Sequence, residues 1–131
     1  MLSQGYKLTW PEIKLTDKQE ASHIQAKYNY QFTREDDGVT VELHWNITPE
    51  YLSFPQNPEW LWQRLVSTTL SNITLSTFSP EDYLIILCVH GSNHCWLRLR
   101  WICDVNELIQ NTLTLNWEKV AAEARTQGCE R

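Results

Sequence analysis

The chain has 131 residues, a length typical of one domain and sufficient to bury a core without disulfide or metal cross-links. A net charge of −5 argues against nucleic-acid binding, which normally depends on a basic surface. Residues 1–5 lack the apolar core of a signal peptide, and the longest apolar run, Tyr83–Val89, is far shorter than the roughly 20 residues that span a membrane. We therefore expect a cytoplasmic protein that does not contact membranes and keeps its cysteines as free thiols.

The first half of the chain predicts mainly β structure. Thr16 followed by Gln19 forms a capping box, which predicts a short helix over about residues 17–26. Two segments with period-2 alternation follow, separated by a turn signal at Asp36–Gly38, and they predict a β-hairpin. Its apolar face, expected to be buried, comprises Tyr28, Tyr30, Phe32, Val39, Val41, Leu43, Trp45 and Ile47. Residues 59–68 are consistent with a short helix and residues 69–78 with a further strand.

The second half of the chain predicts helices. Ser79 at an N-cap and Pro80 at the first helical position begin a helix that is apolar nearly all round and therefore central, and Gly91 is expected to end it. A second helix is expected to follow, and its inward-facing residues are Leu97, Trp101, Ile102, Val105, Leu108 and Ile109. A third helix is expected to begin after an Asn116 cap and to end at Gly128. Its inward-facing residues are Trp117, Val120, Ala121 and Ala124.

These elements predict an α+β fold, with an antiparallel hairpin or small sheet followed by a bundle of about three helices. The pattern changes near residue 78, so we expect a β-rich part over residues 1–78 and a helical part over residues 79–131, packed as one compact unit. Most of the seven tryptophans fall at core-facing positions, which favours packing over base stacking.

Glu42 and His44 are the first candidate site residues. Their spacing places both side chains on the polar face of a strand. A carboxylate on a strand suits Mg²⁺, which prefers hard oxygen ligands, but the same pattern also describes an ordinary solvent-exposed strand face.

His90, His94, Cys88 and Cys95 form a second cluster in the sequence. A four-residue spacing would place both imidazoles on one helical face, an arrangement that suits a metal. Because Gly91 is expected to interrupt the helix and no Cys-x-x-Cys pair is present, packing or hydrogen bonding is favoured over zinc.

Arg98 and Asp104 lie on the second predicted helix. Arg98 could bind a phosphate or carboxylate through two parallel hydrogen bonds. Asp104 lies among apolar residues, so partial burial with an Arg or His partner is the alternative to a functional role.

A series of short segments matches a known family in order and approximate spacing across nearly the whole chain. They are Gly5-Tyr6, Val41–Trp45, Leu87–Gly91, Trp96–Asp104 and Asn116-Trp117. The combination of a Glu-Leu-His-Trp strand with a His…Arg-Leu-Arg-Trp-x-x-Asp helix is the most specific part. Taken together, the segments resemble an uncharacterised bacterial nucleotidyltransferase family.

The resemblance implies a polymerase-β-like core that transfers a nucleoside monophosphate from an NTP with two Mg²⁺ ions. Glu42 matches the third metal-binding carboxylate of such enzymes. The other candidate residues are expected to contact nucleotide or substrate: His44, His90, His94, Arg98 and Asp104.

The chain departs from that pattern in its main carboxylates, because it contains no Asp-x-Asp pair preceded by a Gly-Ser turn. The stretch from Gly91-Ser92 to Asp104-Val105-Asn106 imitates this signature, but its helical periodicity and its asparagine argue against it. The expectation is a truncated or split nucleotidyltransferase, inactive alone, which forms a homodimer or binds a partner chain that supplies the missing segment. The alternative is a non-catalytic interaction module that uses the helical half.

Overall fold

A computed structural model describes residues 4–13, 15–26, 29–48 and 59–129. Their strands are β1 (Tyr6–Trp10), β2 (Asn29–Arg34), β3 (Thr40–His44), β4 (Val66–Leu70) and β5 (Ile73–Thr77). Their helices are α1 (Asp17–Ala26), α2 (Glu59–Trp62), α3 (Pro80–Asn93), α4 (Leu99–Asn111) and α5 (Trp117–Thr126). The predicted α+β class, with small antiparallel sheets followed by helices, is confirmed.

The chain divides into two compact units, Met1–Tyr51 and Leu52–Arg131. The first unit holds β1, α1, β2 and β3, and the second holds the remaining elements. The change of sequence pattern near residue 78 falls inside the second unit, because the hairpin of β4 and β5 precedes the three long helices there.

The first unit is built on a three-stranded antiparallel sheet with the strand order β1-β2-β3. The predicted hairpin is confirmed, and Gln31 pairs with Glu42 in its register. Its turn contains Gly38 at a φ of 70°, a conformation that glycine adopts without steric cost. Strand β1 was not predicted, although Tyr6, Leu8 and Trp10 show the alternation of a strand.

Helix α1 contacts one end of this sheet. Its predicted capping box is present, with the Thr16 amide donating to Gln19 Oε1 at 3.0 Å. The His23 ring stacks on Tyr30 at a centroid distance of 5.1 Å, and the Trp45 indole donates to the Ile24 carbonyl at 3.0 Å. These contacts fix the helix over the Tyr30–Trp45 end.

The apolar sheet face is more exposed than the alternation predicted. Val39, Val41 and Leu43 are 43%, 36% and 52% exposed. The prediction that they are buried was wrong, because α1 contacts the sheet through Tyr30 and Trp45 and leaves these three side chains uncovered. Tyr28, assigned to the same face, lies outside the described residues.

The second unit begins with a short helix and a β-hairpin. Helix α2 ends at Trp62 rather than near residue 68, because the β-branched stretch from Val66 to Thr69 forms strand β4. Strand β4 returns as β5 through Ser71 and Asn72, both at positive φ (48° and 65°). Two successive residues with positive φ are the requirement of a type I′ hairpin turn.

Helix α3 is the centre of the helical part and packs against both α4 and α5. Ser79 caps it as predicted, accepting a hydrogen bond from the Asp82 amide at 3.3 Å. The helix does not end at Gly91 but continues to Asn93. A Cβ at Gly91 would lie 2.5 Å from the Trp96 ring, so glycine is needed there for a close aromatic contact and not to end the helix.

Helix α5 has the predicted ends. Asn116 accepts from the Lys119 amide at 2.9 Å. At the other end Gly128 has a φ of 68°, and the amides of Gly128 and Cys129 donate to the carbonyls of Arg125 and Ala124. This pair of hydrogen bonds is a Schellman motif.

The expectation that most tryptophans are core residues holds only in part, since Trp45, Trp60 and Trp96 are half-buried. Trp101 is buried at 8% exposure, where α4 packs on α3, but Trp10, Trp62 and Trp117 are 44%, 51% and 56% exposed. The exposed three lie on an edge strand, on a single-turn helix and in the first turn of α5. Of the residues expected to face inward, Leu97, Ile102 and Ala121 are also exposed.

Candidate functional site

Glu42 and His44 lie together on the exposed polar face of β3. Glu42 Oε2 is 3.0 Å from His44 Nε2, and the Gln31 amide donates to Glu42 Oε1 at 3.5 Å. In the register of the sheet, Glu42 is opposite Gln31 and His44 is opposite Asn29. The two predicted residues therefore share one face and contact each other, and an amide on the neighbouring strand supports the carboxylate.

A row of threonine hydroxyls continues this polar face across all three strands. Thr9 Oγ1 and Thr33 Oγ1 are 3.1 Å apart, and Thr33 Oγ1 and Thr40 Oγ1 are also 3.1 Å apart. Lys7 is opposite Thr33 in the register and forms an ion pair with Glu35 at 2.7 Å. The face thus offers hydroxyl, amide, imidazole and carboxylate groups to a polar ligand.

The described residues do not form a complete magnesium site. Glu42 supplies one carboxylate, and its adjacent partners are an imidazole and an amide. Within the parts of the chain that the structure describes, no three His, Cys, Asp or Glu side chains are grouped so that they could hold a metal ion. Two Mg²⁺ ions held about 3.5–4 Å apart require several carboxylate oxygens, so Glu42 alone does not suffice.

His90 and His94 meet in the second unit, on either side of the end of α3. Their ring centroids are 4.7 Å apart, and His94 stacks on the buried Trp101 at 4.8 Å with an interplanar angle of 19°. The contact forms because α3 continues through Gly91, contrary to the prediction that this glycine separates the two imidazoles. Packing on an aromatic core residue agrees with the interpretation favoured over zinc.

The cysteines near this cluster are free thiols. Cys88 is half-buried, and burial raises the pKa of its thiol. A raised pKa disfavours the thiolate, which is the form that binds metals and acts as a nucleophile.

Arg98 and Asp104 are both exposed on α4. Arg98 is the N-cap residue of the helix, and its side chain makes no capping hydrogen bond. Asp104 is exposed, so the alternative of a partly buried carboxylate with an Arg or His partner does not apply. The Arg98 guanidinium therefore stays accessible to an anion.

The imitation of a Gly-Ser…Asp-x-Asp signature is rejected by the structure, as predicted. Gly91-Ser92 lies at the end of α3 and does not open a helix. Asp104 lies on a helix and not on a strand. The candidate residues also divide between the units: Glu42 and His44 belong to the first, and His90, His94, Arg98 and Asp104 belong to the second.

Sequence reasoning missed a charged network in the second unit. Arg64 pairs with Asp82 at 2.5 Å and with Glu123 at 2.7 Å, and its guanidinium lies over the Trp60 ring. Asp82 is almost completely buried and also accepts from Ser79 Oγ at 2.8 Å. The only local signal was Asp82 in the first turn of a helix, which indicates capping and says nothing about a distant arginine.

A second ion pair lies beside that network. Lys119 Nζ is 3.0 Å from Glu81 Oε2 and joins α5 to α3. Since each of these charges has an opposite charge on another element, the network connects the elements of this unit and is not an open ligand site.

The sequence matches a known protein family along its whole length. Residues 1–131 match the family model described as an uncharacterised nucleotidyltransferase. The chain belongs to this family. No curated protein and no solved structure matches it.

Membership of the nucleotidyltransferase family confirms the resemblance carried by the Glu-Leu-His-Trp strand and the helical segments. Within the described ranges of the chain, no helix has the length and apolar character needed to cross a bilayer.

Proposed function

We propose that this chain supplies Glu42 to a nucleotidyl-transfer site whose other carboxylates come from a segment outside these 131 residues. The reaction is the transfer of a nucleoside monophosphate from an NTP. Two observations support it. The chain belongs to a nucleotidyltransferase family. Glu42 is exposed on a strand, where His44 contacts one of its carboxylate oxygens and the Gln31 amide contacts the other.

The need for further carboxylates follows from metal chemistry. Mg²⁺ is the proposed cofactor of the completed site, where it would offset the negative charge of the phosphates. The 131 residues contain no Asp-x-Asp pair, and Glu42 is one carboxylate. A second polypeptide segment, on this chain or on another, is therefore part of the proposal.

His44 has a positioning role in this proposal. Its Nε2 lies 3.0 Å from Glu42 Oε2 and holds that oxygen in one orientation. Partners that orient a metal-binding group typically change affinity or activity by about 10- to 100-fold when removed. We expect a loss of this size for His44→Ala in the completed enzyme.

Arg98 is the proposed anion contact of the second unit. It is exposed, and it makes no ion pair within the described part of the chain, so its five donors are available to an anion. His90, His94 and Asp104 are proposed as further substrate contacts. The two histidine rings contact each other, and both lie against the Trp101 ring.

The test is an NTP transfer assay with Mg²⁺ on the purified chain. We expect no turnover by the chain alone, because one carboxylate does not hold two metal ions. Glu42→Ala is the essential variant, and Glu118→Ala is the matched control because it removes an exposed carboxylate from α5. Robust transfer by the chain alone that is lost in Glu42→Ala and kept in Glu118→Ala would contradict the split site.

A second candidate function is a non-catalytic interaction module. Large apolar side chains stand exposed in the helical part: Leu97 at 83%, Leu99 at 73%, Leu113 at 97% and Trp117 at 56%. Leu97 and Leu99 lie two residues apart, and contiguous exposed apolar surface is typical of protein contact sites. A melting temperature that does not change with Mg²⁺ and ATP, together with no Glu42-dependent transfer in a completed system, would favour this function.

The exposed sheet edge also predicts association. Strand β3 lies at the edge of the three-stranded sheet, and each of its residues is exposed. Edge strands readily pair with another chain. A homodimer or a partner chain is therefore proposed, and a clean monomer in size-exclusion chromatography of the purified chain would contradict the homodimer.

A further inference from the structure

Strand β1 contains an irregularity that changes which face of the sheet carries Trp10. Leu8 pairs with Phe32, and the next pairing along the strands joins Trp10 to Gln31. Two steps on β1 therefore match one step on β2, which is the register of a β-bulge, with Thr9 and Trp10 both opposite Gln31.

The bulge moves Trp10 to the polar face. In a regular strand Trp10 would share the apolar face with Leu8, because residues two apart point to the same side. Thr9 remains on the polar face, since its hydroxyl lies 3.1 Å from that of Thr33. The register then places Trp10 opposite Gln31, which is itself opposite Glu42.

Trp10, Gln31 and Glu42 thus form one row across the three strands of the sheet. With neighbouring strands about 4.8 Å apart, the backbones of Trp10 and Glu42 are separated by roughly 10 Å. Trp10 is 44% exposed, so aromatic surface is accessible to solvent in the same row as the Glu42 carboxylate. Bulges next to functional sites commonly re-aim a side chain in this way.

We propose that Trp10 stacks against the base of the nucleoside triphosphate whose phosphates approach Glu42, an inference that rests on the proposed function. A nucleotide lying along the row has its base at Trp10, its ribose over Gln31 and its phosphates toward the carboxylate. The Thr9 and Thr33 hydroxyls flank the middle of the row, where a ribose would lie. Because every base has a π-face, stacking on an indole gives affinity with little choice between bases.

The experiment uses the indole N–H resonances of the chain, which contains seven tryptophans. The ¹⁵N-labelled chain is titrated with ATP, with adenosine and with inorganic triphosphate, and the Trp10 resonance is identified by its loss in Trp10→Phe. We expect ATP and adenosine, but not triphosphate, to shift the Trp10 resonance. Trp117 is the control within the same sample, because it is still more exposed and lies on α5.

Two outcomes would overturn the inference. One is an equal shift of Trp10 and Trp117, which means unspecific stacking on exposed indoles. The other is a Trp10 resonance that no nucleotide shifts. Trp10→Ala supplies a second measurement: we expect ATP to bind about 5- to 150-fold more weakly, the range that corresponds to losing one base stack. Trp10→Phe should retain most of the affinity, and Trp117→Ala should retain all of it.

The design also separates this inference from the proposed function. Selective adenosine shifts at Trp10 without any Glu42-dependent transfer in a completed system would support the base site and contradict the transferase. Glu42-dependent transfer with an unchanged KM for ATP in Trp10→Ala would support the transferase and overturn the base site. If Trp10→Ala lowers the melting temperature and Trp10→Phe does not, the affinity comparison is made with Trp10→Phe and Trp10→Leu.

Discussion

Replacing Arg64 with methionine removes the cation that joins two buried carboxylates in the second unit. Asp82 has a side-chain exposure of 1% and Glu123 of 14%, and Arg64 contacts both. Methionine keeps much of the apolar stem of arginine, so the change mainly deletes the charge and its hydrogen bonds. Arg64→Met therefore leaves Asp82 buried with Ser79 as its remaining side-chain partner.

The expected cost is about 3 kcal/mol of unfolding free energy. Breaking a buried ion pair from one side typically costs about 3–5 kcal/mol, because the other charge stays buried without compensation. The Arg64 side chain is 34% exposed, so water reaches part of the pair and the lower end of that range applies. For a chain of this length the loss corresponds to a melting temperature lower by roughly 10 °C.

The assay is urea unfolding followed by far-UV circular dichroism, in which α3, α4 and α5 of the second unit dominate the helical signal. Arg98→Met is the matched control, since this exposed arginine makes no capping hydrogen bond, and it should change stability by less than about 0.5 kcal/mol. In a double-mutant cycle, the double variant Arg64→Met/Asp82→Asn should lose clearly less unfolding free energy than the sum of the losses in the two single variants. A loss below about 1 kcal/mol for Arg64→Met, or strict additivity in the cycle, would refute the reasoning.

Three further predictions concern the second unit. Gly91→Ala should lower the unfolding free energy by about 1–3 kcal/mol in the same urea assay, because the added Cβ meets the Trp96 ring at 2.5 Å, and Trp96→Leu in the same chain should recover part of the loss. Asn116→Ala should cost about 1 kcal/mol through the lost cap of α5, whereas Asn116→Asp should cost little. Stability should fall as pH drops below about 4.5. Burial by itself would raise the pKa of Glu81 and of Glu123, but hydrogen bonds from Lys119 and Arg64 hold both below their ordinary value of 4.5. Their contribution is therefore full above that value and is lost as they protonate at lower pH; an unfolding free energy that rises on acidification would contradict it.

Features that depend on neighbours in sequence were predictable. The capping box before α1, the Ser79 and Asn116 caps and the β2–β3 hairpin each follow from a few adjacent residues, and each is present in the structure. The contact between Glu42 and His44 belongs to the same class, because residues two apart on a strand share a face.

Features that depend on tertiary contacts or on strand pairing were not predictable. The alternation of Val41 and Leu43 marks the apolar face correctly, but it does not tell whether another element covers that face, and in the structure both side chains are exposed. The sequence predicts that Gly91 ends the helix, and only the structure shows that glycine is required there by the close contact with the Trp96 ring. Trp10 alternates with Leu8, and only the pairing with β2 shows the bulge that re-aims it.

The central claim is that Glu42 acts in a nucleotidyl-transfer site completed from outside these residues. In its most direct test, the chain is mixed with a polypeptide that carries a Gly-Ser…Asp-x-Asp segment, and transfer of labelled nucleotide from NTP is measured with Mg²⁺. This polypeptide is sought first among the products of the neighbouring open reading frames. We expect transfer only when both components are present, and a fall in transfer rate of about 100-fold or more in Glu42→Gln but not in Glu118→Gln. Transfer that continues undiminished in Glu42→Gln would contradict it.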